Sequence, residues 1–358
     1  ETQGVAAEHP ATADGQGFYI ATLPGISAGD LYRYRIDGRG PFPDPASRFQ
    51  PQGVHGPSEI VGWRHFPWKD QGWQGVALED TILYELHVGS FTPEGTFSAA
   101  TERLATLKDL GITAVELMPV ADFAGRWNWG YDGAAPFAPA RCYGTPDDLR
   151  RLVDHAHALG LAVHLDVVYN HLGPDGAYQS AFSRFYYSTS HESPWGAGIN
   201  FDGPHSEPVR DYFIENALRW IHEYHFDGLR LDATHAIVDD SHRHILASIS
   251  SAVHGLLSSS GRTAHIIAED VRNLAGMVKP ESEAGWALDG VWSDDFHHQM
   301  RRALAGDSDG YFQDFDGSLK SIAATARQGW FYTGQLAPYF RKARGTDPAG
   351  IPKPKFVF

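Results

Sequence analysis

Two carboxylates stand at the ends of short apolar runs, and their positions suit acid–base and nucleophilic chemistry. Asp232 closes the run GLRLD, and Glu269 closes the run HIIAE. Residues two apart on a strand share a face, so Arg230 would lie beside Asp232 and keep that carboxylate ionised. An ionised carboxylate can act as a nucleophile. A structural salt bridge at a strand end is the alternative interpretation of the same pair.

Glu269 is predicted to have the complementary environment. Three apolar residues precede it, so its carboxyl could hold a proton near neutrality and act as a general acid. Two carboxylates on adjacent parallel strands would lie roughly 5 Å apart, because strands are spaced about 4.8 Å. Retaining glycosidases need about 5–5.5 Å. The layout therefore predicts glycoside hydrolysis with retention, although a carboxylate that caps a strand–helix junction would also fit Glu269.

A third polar stretch, DVVYNH, follows another apolar run and contains Asp166, Asn170 and His171. Asp166 could position Arg230 or Asp232, and His171 could donate a hydrogen bond to a sugar hydroxyl group. Loop anchoring is the alternative for this stretch, and for Asn170 it is the interpretation that we favour.

Other catalytic classes lack their signatures in this sequence. Among 19 His residues, His155 and His157 are two apart on a predicted helix and do not share a face, and His297 and His298 are adjacent. There is no HExxH motif, Cys/His cluster, phosphate-binding Gly-rich loop or GxSxG motif. We therefore predict no catalytic metal and no cofactor.

Charge and composition narrow the possible partners. The 358 residues include 29 Lys and Arg against 44 Asp and Glu, and the net charge of −15 opposes binding to nucleic acid. No apolar run approaches the length of about 18 residues that a membrane span needs. Cys142 is the only cysteine, which excludes an intrachain disulfide and favours a reducing compartment such as the cytoplasm. The chain opens with Glu1 rather than Met, so we expect upstream sequence to be missing.

The elements that must position these residues alternate along the chain from about residue 80. Near-continuous apolar strands separated by helices predict a parallel sheet buried on both faces. Polar residues follow at least three of the strands, which favours a (β/α)8 TIM barrel over an open sheet with one switch point. The predicted strands lie within 81–87, 112–119, 161–169, 226–232, 265–270 and 288–293, and the predicted helices span 98–110, 145–159, 207–224 and 240–257.

The chain is predicted to divide into three regions. Residues 1–62 show period-two alternation interrupted by Pro and Gly turns, which indicates a small all-β domain. Residues 63–79 form a linker, and residues 80–358 form the barrel. Loops 122–143 and 172–205 follow strand ends and would overhang the catalytic face, where long loops are usually functional.

Three of these stretches resemble motifs of the α-amylase superfamily. The stretches DVVYNH (166–171), GLRLD (228–232) and IAED (267–270) occur in family order on the third, fourth and fifth predicted strands. Three motifs in order form a specific signal, and the likeness covers nearly the whole chain. The resemblance implies a barrel with Asp232 as nucleophile and Glu269 as general acid/base.

Further stretches are similar to one branch of that superfamily. YELHVGSF, ELMPV and GYDG resemble the branch of branching enzymes, isoamylases and maltooligosyltrehalose trehalohydrolases, and PWG, INFD, WSDDFHH and His235 look most like the trehalohydrolase family. The resemblance implies hydrolysis of the α-1,4 bond next to the terminal trehalose of maltooligosyltrehalose, no dependence on calcium, and a maltooligosyltrehalose synthase as pathway partner. Branching or debranching of α-glucans, and a non-catalytic glucan-binding fragment, are the alternatives.

The motifs and the overhanging loops together give the candidate substrate-binding residues. The aromatic ones, with Trp127, could be platforms for sugar rings, although half of them could simply pack the loops. The predicted set is Arg230, His171, Asp166, His235, Tyr131, Asp132, Trp129, Trp195 and Asp270.

The fourth superfamily motif, which supplies a third carboxylate after the seventh strand, has no match in this sequence. The final residues 355–358 (KFVF) resemble the beginning of that strand. We therefore expect a fragment of a longer protein, with a barrel incomplete at its C-terminal end and preceded by a partial all-β sandwich domain.

Overall fold

Strands and helices alternate through most of the computed structural model, which describes residues 7–15 and 17–358. Residues 1–6 and Gln16 of the predicted β domain lie outside the described residues. The strands are β1 Thr12–Ala13, β2 Tyr19–Ile20, β3 Leu31–Tyr32, β4 Tyr34–Ile36, β5 Arg39–Phe42, β6 Ser58–Glu59, β7 Leu83–Leu86, β8 Ala114–Leu117, β9 Ala121–Asp122, β10 Ala135–Pro139, β11 Ala162–Val167, β12 Tyr187–Ser193, β13 Gly196–Ile199, β14 Gly228–Leu231, β15 His265–Glu269, β16 Gly290–Trp292, β17 Leu336–Ala337, β18 Lys342–Ala343 and β19 Phe356–Val357. The α-helices are α1 Val88–Phe91, α2 Phe97–Thr101, α3 Leu104–Asp109, α4 Pro146–Ala158, α5 Gln179–Phe182, α6 Glu207–Glu223, α7 Ile245–Leu257, α8 Asp294–Ala305 and α9 Leu319–Gln328.

A seven-stranded parallel sheet forms the centre of the molecule. Its spatial order, β7-β8-β11-β14-β15-β16-β19, is also the order of these strands along the chain. Strands β8 and β11 are buried at every position, as a parallel sheet covered on both faces requires. This arrangement confirms the predicted fold class, a (β/α)8 barrel that is incomplete at its C-terminal end.

Each of the six predicted apolar runs contains one strand of this sheet, and β19 is the short seventh strand that the last residues suggested. Helix α4 also begins as expected. The Thr145 hydroxyl accepts a hydrogen bond from the Asp148 amide at 3.2 Å, and the Asp148 carboxylate accepts one from the Thr145 amide at 2.8 Å. Such a reciprocal cap contributes about 1 kcal/mol to helix stability.

Two predicted helices differ from the observed ones. The segment 98–110 is divided into α2 and α3, because the Arg103 amide bonds to the Ala100 carbonyl and this tighter turn interrupts the α-helical ladder. Helix α7 begins later than predicted because His244 caps it, with its side chain accepting a hydrogen bond from the Leu246 amide. Asp239 accepts a further hydrogen bond from the Ile245 amide.

The regions outside the central sheet contain short antiparallel pairs. Loop 122–143 includes β10, which pairs with β9, and loop 172–205 contains the hairpin β12–β13, so both loops contain secondary structure of their own. Strands β1–β6 form three two-stranded pairs, which are shorter than the sheets of a sandwich because Pro and Gly turns interrupt them. Their assignment to a separate domain remains a prediction.

One continuous hydrophobic core lies between the sheet and the surrounding helices. Phe97, Leu152, Trp220 and Ile249, from four different helices, are buried in it together with residues of the central strands. Burial of one such side chain contributes roughly 1.5–3 kcal/mol, so this core holds the strand ends in place. Within the part of the chain that the structure describes, we find no helix with both the length and the apolarity for crossing a bilayer.

Candidate active site

Asp232 and Glu269 lie at the carboxyl ends of neighbouring strands. Strands β14 and β15 pair in parallel with Leu231 opposite Ala268, and the two acids are the next residues along each chain. Their side chains are 15% and 21% exposed, so both acids are accessible from the cleft above the sheet. The sequence had predicted this juxtaposition from the apolar runs.

The Arg230 guanidinium connects three carboxylates at this edge. Its Nη1 donates to Asp232 Oδ1 at 2.9 Å and to Asp166 Oδ2 at 2.7 Å, and its Nη2 lies 3.5 Å from Glu269 Oε2. Burial alone would lower the pKa of Arg230, but the three acids together raise it above its usual range. A permanent positive charge therefore lies between the two candidate catalytic acids.

Asp166 holds Arg230 from the interior of the barrel. Its Oδ2 also accepts a hydrogen bond from the Tyr131 hydroxyl at 2.9 Å, whereas Oδ1 is buried without a hydrogen-bond partner among the described residues. Burial raises the pKa of Asp166 to about 7, and the neighbouring Arg230 only partly opposes that effect. Asp166 is therefore placed to position Arg230 rather than to contact a ligand directly.

Glu269 is oriented by the main chain that follows Asp232. Its Oε2 accepts a hydrogen bond from the Ala233 amide at 2.6 Å, and no described residue donates a hydrogen bond to Oε1. Ala233 has φ 42° and ψ 50°, a left-handed conformation that non-glycine residues seldom adopt. The turn directs the amide toward Glu269 and leaves Oε1 open to the cleft.

Asn170 is a site residue that the sequence reasoning missed. Its Nδ2 lies 3.0 Å from both the carbonyl oxygen and Oδ2 of Asp232, so it fixes the orientation of that carboxylate. The sequence had been interpreted as favouring loop anchoring for this residue, although the DVVYNH motif already contained the signal. His171 contacts the Asn170 Oδ1 through Nδ1 and supports it from the other side.

The predicted aromatic residues differ in their exposure to solvent. Trp195 is 50% exposed, and its ring centroid lies 5.6 Å from that of His171. Trp129 is 74% exposed, so its face is free to contact a ligand. Burial lowers the pKa of His171, which favours a neutral ring at the cleft. Tyr131 lies deeper, bonded to Asp166.

The remaining predicted residues differ in how they are placed. Asp132 is exposed and accepts a hydrogen bond from Asn128 Nδ2 at 2.8 Å. His235 follows the left-handed turn, and its Nδ1 is buried with no hydrogen-bond partner in the part of the chain that the structure describes. Asp270 is only 1% exposed, and its carboxylate bonds to Thr234 at 2.7 Å and to Arg272 at 2.6 Å. These contacts give Asp270 a structural role, and its role in substrate binding stays a prediction.

A cluster that the sequence analysis did not identify holds loop 172–205 in place. His191 Nε2 lies 3.0 Å from Asp202 Oδ2, and the same oxygen accepts a hydrogen bond from the Asp240 amide at 2.9 Å. A ligand atom from each of the three side chains lies within 4.8 Å of the other two, a geometry that could hold a cation. The contacts among the residues account for the arrangement without an ion.

The paired acids and the arginine between them define the chemical class of the site. One acid has its carboxylate fixed by Arg230 and Asn170, and the other keeps an oxygen free beside it. A carboxylate held beside a second acid with an open oxygen suits glycoside hydrolysis, which uses a pair of carboxyl groups. Residues 68–216 match the family model for the alpha amylase catalytic domain. The chain belongs to the α-amylase family.

Within that family the chain is similar to malto-oligosyltrehalose trehalohydrolases. The protein of that name from Deinococcus radiodurans is 46% identical over 353 residues, which cover 98% of this chain and 56% of that protein. The one from Saccharolobus solfataricus is 43% identical over 344 residues, which cover 96% of this chain and 60% of that protein. The chain thus spans little more than half the length of these two relatives.

Solved structures agree with this placement. A structure from Salmonella typhimurium described as a candidate alpha amylase has a TM-score of 0.90 and 38% identity, and the match covers 96% of this chain and 58% of that one. Pullulanase from Bacillus acidopullulyticus has a TM-score of 0.63 and 24% identity over 84% of this chain and 42% of that one, a likeness of fold alone.

Proposed function

We propose that this chain carries the catalytic centre of a retaining hydrolase that releases trehalose from maltooligosyltrehalose. The bond cleaved is the α-1,4 bond next to the terminal trehalose unit. The observation that carries the proposal is the Arg230 guanidinium shared by Asp232 and Glu269 at neighbouring strand ends. The name of the relatives from D. radiodurans and S. solfataricus supports the choice of substrate.

In the first step, Glu269 acts as general acid through Oε1, the oxygen to which no described residue donates a hydrogen bond. It protonates the glycosidic oxygen while the Asp232 carboxylate attacks the anomeric carbon. The bond from that carbon to the glycosidic oxygen breaks, trehalose leaves with the proton, and a glycosyl ester forms on Asp232. Arg230 and Asn170 hold the attacking carboxylate in position.

In the second step, the deprotonated Glu269 takes a proton from water, and the water oxygen attacks the same carbon. The ester bond to Asp232 breaks and its carboxylate is restored. Two inversions at one carbon give a maltooligosaccharide with the α configuration. Glu269 is then protonated again, ready for another cycle.

The other predicted residues take supporting roles in this proposal. Asp166 positions Arg230, and Tyr131 orients Asp166. Trp129 and Trp195 supply exposed aromatic faces for sugar rings at the rim. The full set of proposed substrate-site residues is Arg230, His171, Asp166, His235, Tyr131, Asp132, Trp129, Trp195 and Asp270.

The wider context of the protein also belongs to the proposal. We assign residues 1–62 to a β-sandwich domain, residues 63–79 to a linker and residues 80–358 to the barrel. The substrate would come from a maltooligosyltrehalose synthase, because such an enzyme makes the terminal trehalose bond. The single Cys142 supports a cytoplasmic location.

Product analysis tests the proposal directly. The purified protein would be incubated with maltotriosyltrehalose, and we expect trehalose and maltotriose, with the new maltotriose end initially in the α form by NMR. New α-1,6 bonds would indicate a branching enzyme, and cleavage of α-1,6 bonds would indicate a debranching enzyme. Binding of the glucan without any turnover would indicate that the chain is a non-catalytic glucan-binding module. Each of these three results overturns the proposal.

A further inference from the structure

The carboxyl group of Asp294 lies beside Glu269, the proposed general acid. The mechanism described above gives this carboxyl group no role. In the register between β15 and β16, Glu269 lies opposite Trp292, and the Arg230 guanidinium lies 5.9 Å from the Trp292 ring centroid. Trp292 therefore belongs to the same face as the site. Asp294 comes two residues later, at the start of α8, and its side chain is half-buried.

The neighbouring residue Asp295 has a purely structural role, which contrasts with the position of Asp294. Asp295 is fully buried and accepts hydrogen bonds from Asn273 Nδ2 at 2.7 Å and from the Phe331 and Tyr332 amides at 2.8 and 3.0 Å. The Asp294 side chain makes no hydrogen bond or ion pair with any residue in the described part of the chain, yet it is not sealed from solvent. Its carboxyl group is therefore free for a ligand in the cleft.

The charged groups around Asp294 come from three elements and from the segment that follows β18. Glu269 on β15 and Asp295 on α8 raise its pKa, whereas Arg230 on β14 and Arg344 lower it. Burial is the largest influence, and the combined effect raises the pKa of Asp294 to about 7. Near neutrality such a carboxyl group can both donate and accept hydrogen bonds, as a sugar hydroxyl group does.

The order of the acids along the rim indicates which sugar Asp294 would meet. Asp232 follows β14, Glu269 closes β15 and Asp294 follows β16, so Asp294 lies on the side of Glu269 that faces away from the nucleophile. A general acid protonates the leaving oxygen, and the leaving group therefore occupies the side of the acid opposite the attacking carboxylate.

We propose that Asp294 is a substrate-binding residue that hydrogen-bonds a hydroxyl group of the leaving trehalose unit. This inference rests on the proposed function and adds to it the residue that recognises the released sugar. A buried carboxyl group that forms such a bond favours a hydroxylated leaving group, because a leaving group without hydroxyls leaves the carboxyl unpaired.

Two substrates with the same glycosyl part and different leaving groups test the inference. Maltotriosyltrehalose carries the trehalose unit, whereas α-maltotriosyl fluoride has no sugar on the leaving side. For Asp294→Ala we expect kcat/KM to fall about 10- to 100-fold with maltotriosyltrehalose and to change less than about twofold with the fluoride. Inhibition by added trehalose should weaken in parallel. Asp294→Asn, which keeps the shape and hydrogen-bonding atoms, should recover part of the loss.

Asp309→Ala is the matched control, because Asp309 is an exposed acid just beyond α8, and it should leave both rates unchanged. An equal loss of Asp294→Ala activity on both substrates would show a structural effect or an influence through Glu269, and would overturn the inference. No loss on either substrate would also overturn it. Failure of the unmodified protein to release trehalose would instead refute the proposed function, so the two failures are distinguishable.

Discussion

Asn170 bonds through one amide nitrogen to both the main-chain and the side-chain oxygen of Asp232, at 3.0 Å each. The two bonds fix the rotation of the carboxylate about its own Cα–Cβ axis, which Arg230 alone would not do. Because a glycosyl carbon must be attacked along one direction, the orientation of Asp232 matters as much as its charge.

Replacement of Asn170 by Ala should therefore lower kcat by about 10- to 100-fold, since a misplacement of about 1 Å can cost that much. Trehalose release from maltotriosyltrehalose would be measured together with the thermal midpoint. Tyr169→Phe is the control, because the Tyr169 hydroxyl bonds to Asn216 at 2.7 Å and not to Asp232. The control should lose stability but keep its turnover. Unchanged kcat in Asn170→Ala would contradict the role.

The two acids should respond differently to a leaving group that needs no proton. Asp232→Asn removes the nucleophile, so turnover of both maltotriosyltrehalose and α-maltotriosyl fluoride should fall by several orders of magnitude, with the fold preserved by circular dichroism. Glu269→Gln removes the acid, so formation of the glycosyl-enzyme should fail with the trehalose leaving group but persist with fluoride. Trapped intermediate would be detected by mass spectrometry. If the two variants behaved identically with fluoride, the assignment of roles would be wrong.

His157 should make the stability of the protein depend on pH. It lies between Asp70 and Asp227, at 2.9 and 2.8 Å from their oxygens, and connects segment 63–79 to the barrel. Burial alone would lower the pKa of His157, but the hydrogen bonds to the two carboxylates outweigh burial and raise it.

A raised folded-state pKa means that the stabilisation is complete below the unfolded value of about 6.5 and is lost as pH rises through the folded value. His157→Gln should therefore lower the free energy of unfolding by roughly 3 kcal/mol at pH 6 and by less at pH 9. Urea unfolding at both pH values measures the difference. His155→Gln, on the exposed side of α4, is the control and should show no such dependence. An equal loss at both pH values would count against the charged pair.

Trp195 should contribute to substrate binding more than to chemistry. Its half-exposed ring lies over His171 at the rim, and stacking on a sugar is worth about 0.5–1.5 kcal/mol, or about 2- to 10-fold in affinity. Trp195→Ala should raise KM by that factor and leave kcat within about twofold. Leu319→Ala, at a highly exposed position on α9, should change neither. A fall in kcat at constant KM would mean that the ring acts on the reaction itself.

Local patterns in the sequence predicted the frame of the site because buried parallel strands must be apolar along their whole length. The six runs, the cap of α4 and the carboxylates at 232 and 269 could all be identified from residues close together in the chain. The family resemblance then assigned roles that spacing alone left open. These features share one property, which is that neighbouring residues determine them.

Features that depend on distant contacts could not be predicted. The hydrogen bond from Asn170 to Asp232 joins residues 62 positions apart. The structural role of Asp270 depends on Thr234, which lies 36 positions before it in the chain. The hairpin in loop 172–205 and the free carboxyl group of Asp294 likewise become visible only when the strands are assembled. Secondary-structure propensity does not indicate which of the two neighbouring acids, Asp294 or Asp295, has a fully buried side chain.

The left-handed turn at Ala233 restricts how this site can be redesigned. Side chains branched at Cβ clash with the backbone in that conformation, so Val, Ile and Thr are excluded at this position, whereas Gly, Asn and Asp are tolerated. A library that randomises the pocket should hold this position to those few residues. The library would then vary residues at the rim, where a change of side chain leaves the backbone next to Asp232 and Glu269 undisturbed.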